Sequence, residues 1–361
     1  MASKVSVGIV GNSGFAEWVH IPSVKHHPQA VLSAICGRNR TRDEELAAKY
    51  DIPQIFTDYH ELIARGKLDA VIVVTPDDLH YPITMEALNA GLHVLCEKPL
   101  AYNASQAGEM YEKAQAVGVK HMVHFTYRWM PIFRYTKQLL DEGYIGQPYQ
   151  CSLLYLNGGH KSTEYRWRFD RQRSHGALGD LGSHMIDLGR WLLGDISRVS
   201  GQLAYLVDRS NLDVPNFVPS NDAAMINLQF QNGTQGVIQL NTVAQVEKSR
   251  QVQQVVFYGE QGTLDVTFSF NSEKMQALRV GEEQFHPVPI PDEMWGGAAR
   301  GNLEDYLEDL FYTQSVGARS FIDAILEDRP ATPSFYDGYQ AQVVMDAVNE
   351  SHEKGIWVEL E

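Results

Sequence analysis

The chain opens on Val5-Ser6-Val7-Gly8-Ile9-Val10, an apolar run that breaks at Gly11 and passes through Asn12-Ser13-Gly14-Phe15-Ala16 into a helical pattern. The same rhythm returns four times. Strand-like runs lie at Val31–Cys36, Ala70–Val74, His93–Cys96 and His121–His124, with helical segments between them. Short apolar runs alternating with helices read as βαβ units, and strands this apolar suit a parallel sheet covered on both faces. The punctuation agrees. Thr41-Arg42-Asp43-Glu44 has capping-box spacing ahead of Glu45–Tyr50, Asp58 can cap the helix holding Leu62 and Ile63, and Gly91 sits at a C-cap position after Pro82–Ala90.

Beyond about residue 128 the pattern lengthens. Ala223–Phe230 and Gln235–Thr242 alternate apolar and polar residues around Asn232-Gly233, which predicts a type I′ hairpin. Val252–Tyr258 and Thr263–Phe268 read as a second hairpin, and helices are expected over Val316–Glu327 and Tyr339–Glu353. Two domains follow: an α/β doubly wound domain over 1–127, and an α+β domain with a large, mainly antiparallel open sheet over 128–361. The last helices are free to pack back on the first domain.

A chain of 361 residues, 44% of them hydrophobic, is long enough for two separate cores. Its formal charge of −15 argues against a nucleic-acid partner, which needs clustered Lys and Arg. The three cysteines, Cys36, Cys96 and Cys151, are far apart and show no CxxC spacing, which fits a reducing cytoplasm and offers no thiolate metal site. No apolar run is long enough to span a bilayer, so no membrane partner is expected.

The turn after the first strand has the chemistry of a pyrophosphate cradle. Such a cradle needs a tight turn, close backbone approach and a helix N-terminus aimed at negative charge. Gly11 supplies the turn and Ala16 the small residue where helix meets strand. Ser13 replaces the usual second glycine, with Gly14 beside it to ease the turn. Alone, the pattern also fits an ordinary glycine-containing βα turn. The second strand ends in Gly37-Arg38 in place of the carboxylate that holds a ribose diol. That favours NADP, with Arg38 pairing the 2′-phosphate, and leaves NAD as the alternative.

Lys98 stands at the carboxyl end of the His93–Cys96 run, on the ligand side of an open parallel sheet, and Pro99 fixes the corner after it. A lysine there can hydrogen-bond or protonate a substrate oxygen; it also fits a surface turn. Asp180 and His184 are four apart and on a helix would share a face. The pair suits proton removal from an alcohol, and equally suits a capping Asp with a buried His. Two ligands without a third do not make a metal site, and none is expected.

These segments together resemble the Gfo/Idh/MocA oxidoreductases, which include glucose-fructose oxidoreductase and inositol dehydrogenases. The resemblance runs from Gly8-Ile9-Val10-Gly11 through Thr75-Pro76-Asp77-Asp78-Leu79-His80 and Glu97-Lys98-Pro99. It continues through Gly179-Asp180-Leu181-Gly182-Ser183-His184-Met185-Ile186-Asp187 to Phe321-Ile322-Asp323-Ala324-Ile325 and Asp337-Gly338. It implies an N-terminal Rossmann domain that binds a nicotinamide dinucleotide and a hydride exchanged with a hydroxyl-bearing carbon of a sugar or polyol. Cofactor contacts are expected at Gly11, Asn12, Ser13, Gly14, Phe15, Ala16, Gly37 and Arg38 from the turn and strand end read above, and the resemblance implies further ones at Thr75, Pro76, His80, Glu97 and Lys98. The catalytic lysine of the family maps to Lys98, its aspartate to Asp180 and its histidine to His184. Tyr127, Arg128, Trp167 and Arg168 resemble segments lining the sugar side. The resemblance also implies a homodimer or homotetramer through the C-terminal sheet. Within such a family, a dinucleotide-binding regulator and an NAD-dependent glycosidase are the alternative activities.

Overall fold

The computed structural model describes residues 4–246, 251–269, 272–300 and 303–360. The chain divides into two compact units: residues 1–126 with 305–340, and residues 127–304 with 341–361.

The first unit is built on six parallel strands: β1 (Val5–Val10), β2 (Ala30–Cys36), β3 (Gln54–Phe56), β4 (Ala70–Val73), β5 (His93–Glu97) and β6 (His121–His124). Their order is β3-β2-β1-β4-β5-β6. The direction of winding reverses between β1 and β4, and in an open parallel sheet a ligand binds outside the carboxyl ends of the strands at that point. Every residue of β4 is buried, as a strand covered on both faces requires. Asp58 accepts from the His60 amide and caps its helix. The helix Arg40–Tyr50 starts earlier than the capping-box reading put it: Asn39, in an extended conformation, accepts from the Arg42 amide, and Thr41 is already inside the helix. Gly91 takes φ +76 just past its helix, where a left-handed residue ends the turn.

The second unit carries a mixed sheet of nine strands among the described residues: β7 (Pro148–Asn157), β8 (Ile196–Ala204), β9 (Ala223–Phe230), β10 (Gln235–Asn241), β11 (Gln251–Gly259), β12 (Gly262–Ser269), β13 (Ser272–Arg279), β14 (His286–Pro287) and β15 (Val358–Glu359). The order is β14-β13-β12-β11-β7-β10-β9-β8-β15, antiparallel except between β7 and β10. The helix Ser183–Leu193 lies on one face, with Gly189 against Phe230 and Leu153. On β9, Ala224, Ile226, Leu228 and Phe230 point inward while Met225 faces out. Tyr149, Met225 and Val237 are exposed large apolar side chains on β7, β9 and β10.

The hairpin between β9 and β10 is not type I′. Gly233 alone takes positive φ, its amide bonds to the Phe230 carbonyl, and the Phe230 amide bonds to the Thr234 carbonyl. That is a type I turn closed by a glycine bulge. Asn232 fixes it, accepting from the Thr234 amide and donating to the Leu193 carbonyl.

Candidate active site

The glycine turn is held by a backbone contact that no other residue permits. Gly11 has φ +117, and a Cβ there would stand 2.2 Å from the Val74 carbonyl oxygen. The turn therefore lies against the carboxyl end of β4, at the switch point. A helical run follows over residues 14–25, π-helical across Ala16–His20. Ser13 caps it, its Oγ accepting from the Ala16 amide at 3.2 Å. The serine that departs from the glycine pattern thus serves the helix, and open space lies around the Cα of Gly14. Beside the turn, Thr75 Oγ1 is buried with no hydrogen-bond partner. An orphaned hydroxyl and a cradle that a Cβ would fill are what a dinucleotide site leaves when read without its ligand. The residues fit the group.

At the end of β2, Gly37 leaves no room for a side chain: a Cβ there would meet Asn12 Nδ2 at 2.3 Å and Asp43 Oδ1 at 2.6 Å. Asn12 donates to Asp43 at 3.0 Å. Burial raises the pKa of Asp43, partly offset by its bonds from Asn12 and the Gly37 amide. Of the local arginines, Arg40 pairs with Glu44, and Arg42 pairs with Glu17 and Glu45. Arg38 is exposed directly after Gly37.

The carboxyl ends of β4 and β5 are tied together by His80. Its Nδ1 lies 2.8 Å from the Pro99 carbonyl oxygen and its Nε2 3.0 Å from the Thr75 carbonyl oxygen. Both partners accept, so both ring nitrogens donate, and His80 is an imidazolium. Burial opposes the charge, but Cys96, Asp77 and the Pro99 carbonyl outweigh it and push the pKa up to about 10. The His80 ring is thus a strut beneath the site. A histidine whose pKa rises on folding stabilises fully below its unfolded value of 6.5 and loses that contribution as pH rises toward about 10. The thermal midpoint is therefore expected to fall across that window, and His80→Leu to flatten the fall. An equal decline in both proteins, followed by circular dichroism, would show that the ring is neutral.

Lys98 is half-buried at the end of β5, and the peptide joining it to Pro99 is cis. Glu97 is turned inward, accepting from His20 Nε2 at 2.7 Å and His124 Nδ1 at 2.8 Å on the same oxygen. Pro76 precedes the short turn Asp77–Leu79 that leads into His80.

In the second unit, Asp180 lies within a π-helical turn, Leu178–Gly182, that runs into the helix Ser183–Leu193, whose first turn carries His184. The wider turn alters the simple four-residue register, and such turns frequently mark functional positions. Asp180 faces His160 Nε2 at 3.7 Å and Arg168 Nε at 3.8 Å. Burial lowers the pKa of His160, and the Asp180 charge partly restores it. The His184 ring is buried against Tyr127, centroids 4.5 Å apart. Behind it, Tyr127 and Tyr155 share a hydroxyl contact of 2.7 Å, and Tyr155 donates to Gln251 Oε1 at 2.9 Å. Burial pushes the Tyr127 hydroxyl up to about 12, so it stays protonated. Arg168 stacks on Trp167 at 4.2 Å. Arg128 is committed elsewhere, bonding Asp187 through Nε at 2.9 Å and Nη2 at 2.6 Å. Its buried guanidinium anchors the segment bearing Tyr127 to the His184 helix.

Two family models match in tandem. One, described as an oxidoreductase family NAD-binding Rossmann fold, covers residues 5–125; the other, the C-terminal alpha/beta domain of the same family, covers 137–360. The chain belongs to the Gfo/Idh/MocA oxidoreductase family. Similar Gfo/Idh/MocA proteins include levoglucosan dehydrogenase of Pseudarthrobacter phenanthrenivorans, 27% identical over 99% of this chain and 98% of that one. Another is myo-inositol 2-dehydrogenase of Thermotoga maritima, 26% identical over 98% of each. A solved structure of levoglucosan dehydrogenase in complex with NADH superposes with a TM-score of 0.85 at 26% identity, covering 99% of this chain and all of that one.

This member of the family is an oxidoreductase with an NAD-binding Rossmann domain. No helix among its described residues is long and apolar enough to cross a membrane. Reading the sequence missed His20 and His124 around Glu97, and Tyr155, His160 and Gln251 around Asp180 and His184. One available signal was the placing of Glu97 and His124 at the last positions of apolar strands. A polar residue there faces the ligand end of the sheet.

Proposed function

We propose that the protein is a dehydrogenase that exchanges a hydride between a nicotinamide dinucleotide and a hydroxyl-bearing carbon of a sugar or polyol. The observation that carries it is the Gly11 turn packed on β4 beside the orphaned Thr75 hydroxyl, in a chain whose relatives are named sugar and polyol dehydrogenases. When bound, the nicotinamide supplies the hydride acceptor. The chain supplies proton handling and position. Lys98 hydrogen-bonds the substrate oxygen and stabilises it as the proton leaves. His184 takes that proton in the oxidative direction and returns it in the reductive one. Asp180, between His160 and Arg168, binds a substrate hydroxyl. Tyr127 fixes the imidazole by packing, and Trp167 with Arg168 offers a flat polar wall suited to a sugar ring.

The cofactor read from the β2 terminus is NADP. No side chain, and so no ribose-binding carboxylate, fits at Gly37, and Arg38 is exposed directly after it while Arg40 and Arg42 are paired. Arg38→Ala is expected to raise the KM for NADP about tenfold, the worth of one charge-assisted phosphate contact, and to leave NAD almost unchanged. Steady-state rates with each cofactor across inositols, aldoses and anhydrosugars test both halves of the proposal. Wild-type preference for NAD would remove the Arg38 reading. Tight dinucleotide binding with no turnover on any of these substrates would point to a regulator.

A further inference from the structure

Glu97 and His124 are register partners at the ends of neighbouring strands β5 and β6. His20 reaches them from the helix that follows the glycine turn. A single carboxylate thus ties the phosphate-loop helix to two strand ends. His20 and His124 are fully buried and Glu97 is 8% exposed. The Phe15 ring closes over both imidazoles at 5.6 and 5.9 Å, and Phe311 packs on His124 at 5.8 Å.

Counting protons fixes the charge. Glu97 Oε1 can only accept, so His20 Nε2 and His124 Nδ1 each carry a hydrogen. Glu97 Oε2 accepts a third, from the Lys98 amide at 3.2 Å. The outer nitrogens, His20 Nδ1 and His124 Nε2, are buried with no partner. A second proton on either ring would leave a charged N–H buried without an acceptor, which is costly. Both rings are therefore neutral and Glu97 is ionised. Burial opposes ionisation of Glu97, the hydrogen bonds it accepts from His124 and His20 favour it, and burial itself keeps His20 neutral.

The same three side chains have the donor types of a zinc site, with candidate ligand atoms within 4.8 Å of one another. Two observations favour the hydrogen-bonded state. Metal-bound imidazoles donate their other N–H to an acceptor, and both outer nitrogens lack one. The N···O separations of 2.7 and 2.8 Å are also shorter than the roughly 3.3 Å between neighbouring ligands of a tetrahedral zinc with bonds near 2.0–2.1 Å.

We propose that the His20–Glu97–His124 triad holds a permanent negative charge at the carboxyl end of the sheet that favours the oxidised, positively charged nicotinamide over the reduced one. The inference rests on the cofactor reading above. The cationic groups on the same corner are Lys98, next in sequence, and His80, bonded to the Pro99 carbonyl. Glu97 is set against them together with Asp77, whose charge acts on His80. Such a bias favours loading of oxidised cofactor and release of reduced cofactor.

The test is a pair of binding titrations on the full chain, with NADP+ and NADPH, read by protein and nicotinamide fluorescence. Glu97→Gln keeps the shape and removes the charge. Its Kd for NADP+ is expected to rise on the order of tenfold more than its Kd for NADPH, the scale on which a nearby unit charge acts inside a protein. His20→Leu and His124→Leu remove a donor each, let the carboxyl take a proton, and are expected to shift the ratio the same way. His20→Gln and His124→Asn place an amide N–H where the ring N–H was, and are expected to keep the wild-type ratio. Equal weakening of both forms by Glu97→Gln would reduce the triad to a strut and overturn the proposal. So would amide variants that behave like the leucine ones, or a stoichiometric zinc retained on purification. A wild-type chain that binds neither form would overturn the cofactor reading and this inference together, whereas an unchanged ratio with intact binding would overturn this inference alone.

Discussion

Lys98→Ala is expected to lower kcat by ~10²–10⁴-fold, the range over which a positioned acid–base group acts. The dinucleotide Kd is expected to change by less than about threefold, because the reading proposed above assigns phosphate recognition to backbone amides of the glycine turn. The split matters more than the size. Lys98 stands one residue past the buried carboxylate Glu97 and immediately before the Lys98–Pro99 corner, whose carbonyl His80 holds. Loss of the amine leaves those supports in place, so a structural effect would show in thermal unfolding and cofactor affinity instead. His184→Ala is expected to fall in the same kcat range, since its ring, packed on Tyr127, is the base assigned to the substrate proton. Rapid-quench or steady-state rates with saturating cofactor check both. A Lys98→Ala enzyme with wild-type kcat would leave the proton without its assigned partner.

Gly11→Val is expected to weaken dinucleotide binding by at least ~100-fold, through two costs that add. The residue has φ +117, a conformation that strains a branched side chain by about 1–3 kcal/mol. Its Cβ would also stand 2.2 Å from the Val74 carbonyl oxygen, a backbone atom at the end of a fully buried strand. Neither side can yield cheaply, so the turn must leave β4 and carry the helix N-terminus out of line. Titration with reduced cofactor, alongside a thermal melt, separates lost binding from lost folding. A folded variant with wild-type affinity would mean that phosphate is not bound at this turn.

The parallel half of the fold was legible because its information is local. Glycine at a strand end, apolar runs of strand length and caps such as Asp58 each act within a few residues. The place of Lys98 directly after β5 was legible by the same logic, since a polar residue that closes an apolar run marks a strand end. Other features depend on distant partners. Glu97 was read as a cofactor contact, yet its carboxylate is spent on His20, 77 residues earlier in the chain, and His124, 27 residues later. Nothing in either neighbourhood marks that pairing. His80 was likewise read as a cofactor contact, and its two nitrogens are taken by carbonyls that only the folded sheet brings together. The hairpin at Asn232-Gly233 went astray for a similar reason. The Asn232 amide group bonds the Leu193 carbonyl, 39 residues away, and this selects the turn with a bulge. Strands β8 and β13 carry fewer alternating apolar residues than β9 and β10, and their place in the sheet is secured by their partners.

These elements set a charge pattern at the carboxyl end of the first sheet: an imidazolium at His80, a carboxylate at Glu97 and an amine at Lys98. In the function proposed above, that pattern serves a hydride that leaves a carbinol carbon for the cofactor. Following deuterium from that carbon tests this most directly. A polyol or sugar that reduces the cofactor is labelled at its carbinol position and turned over by the wild-type chain and by Lys98→Ala. Deuterium is expected at the nicotinamide C4 of the wild-type product, with transfer all but absent in the variant. Cofactor reduced without the label, or labelled equally by both proteins, would contradict direct hydride transfer assisted by Lys98.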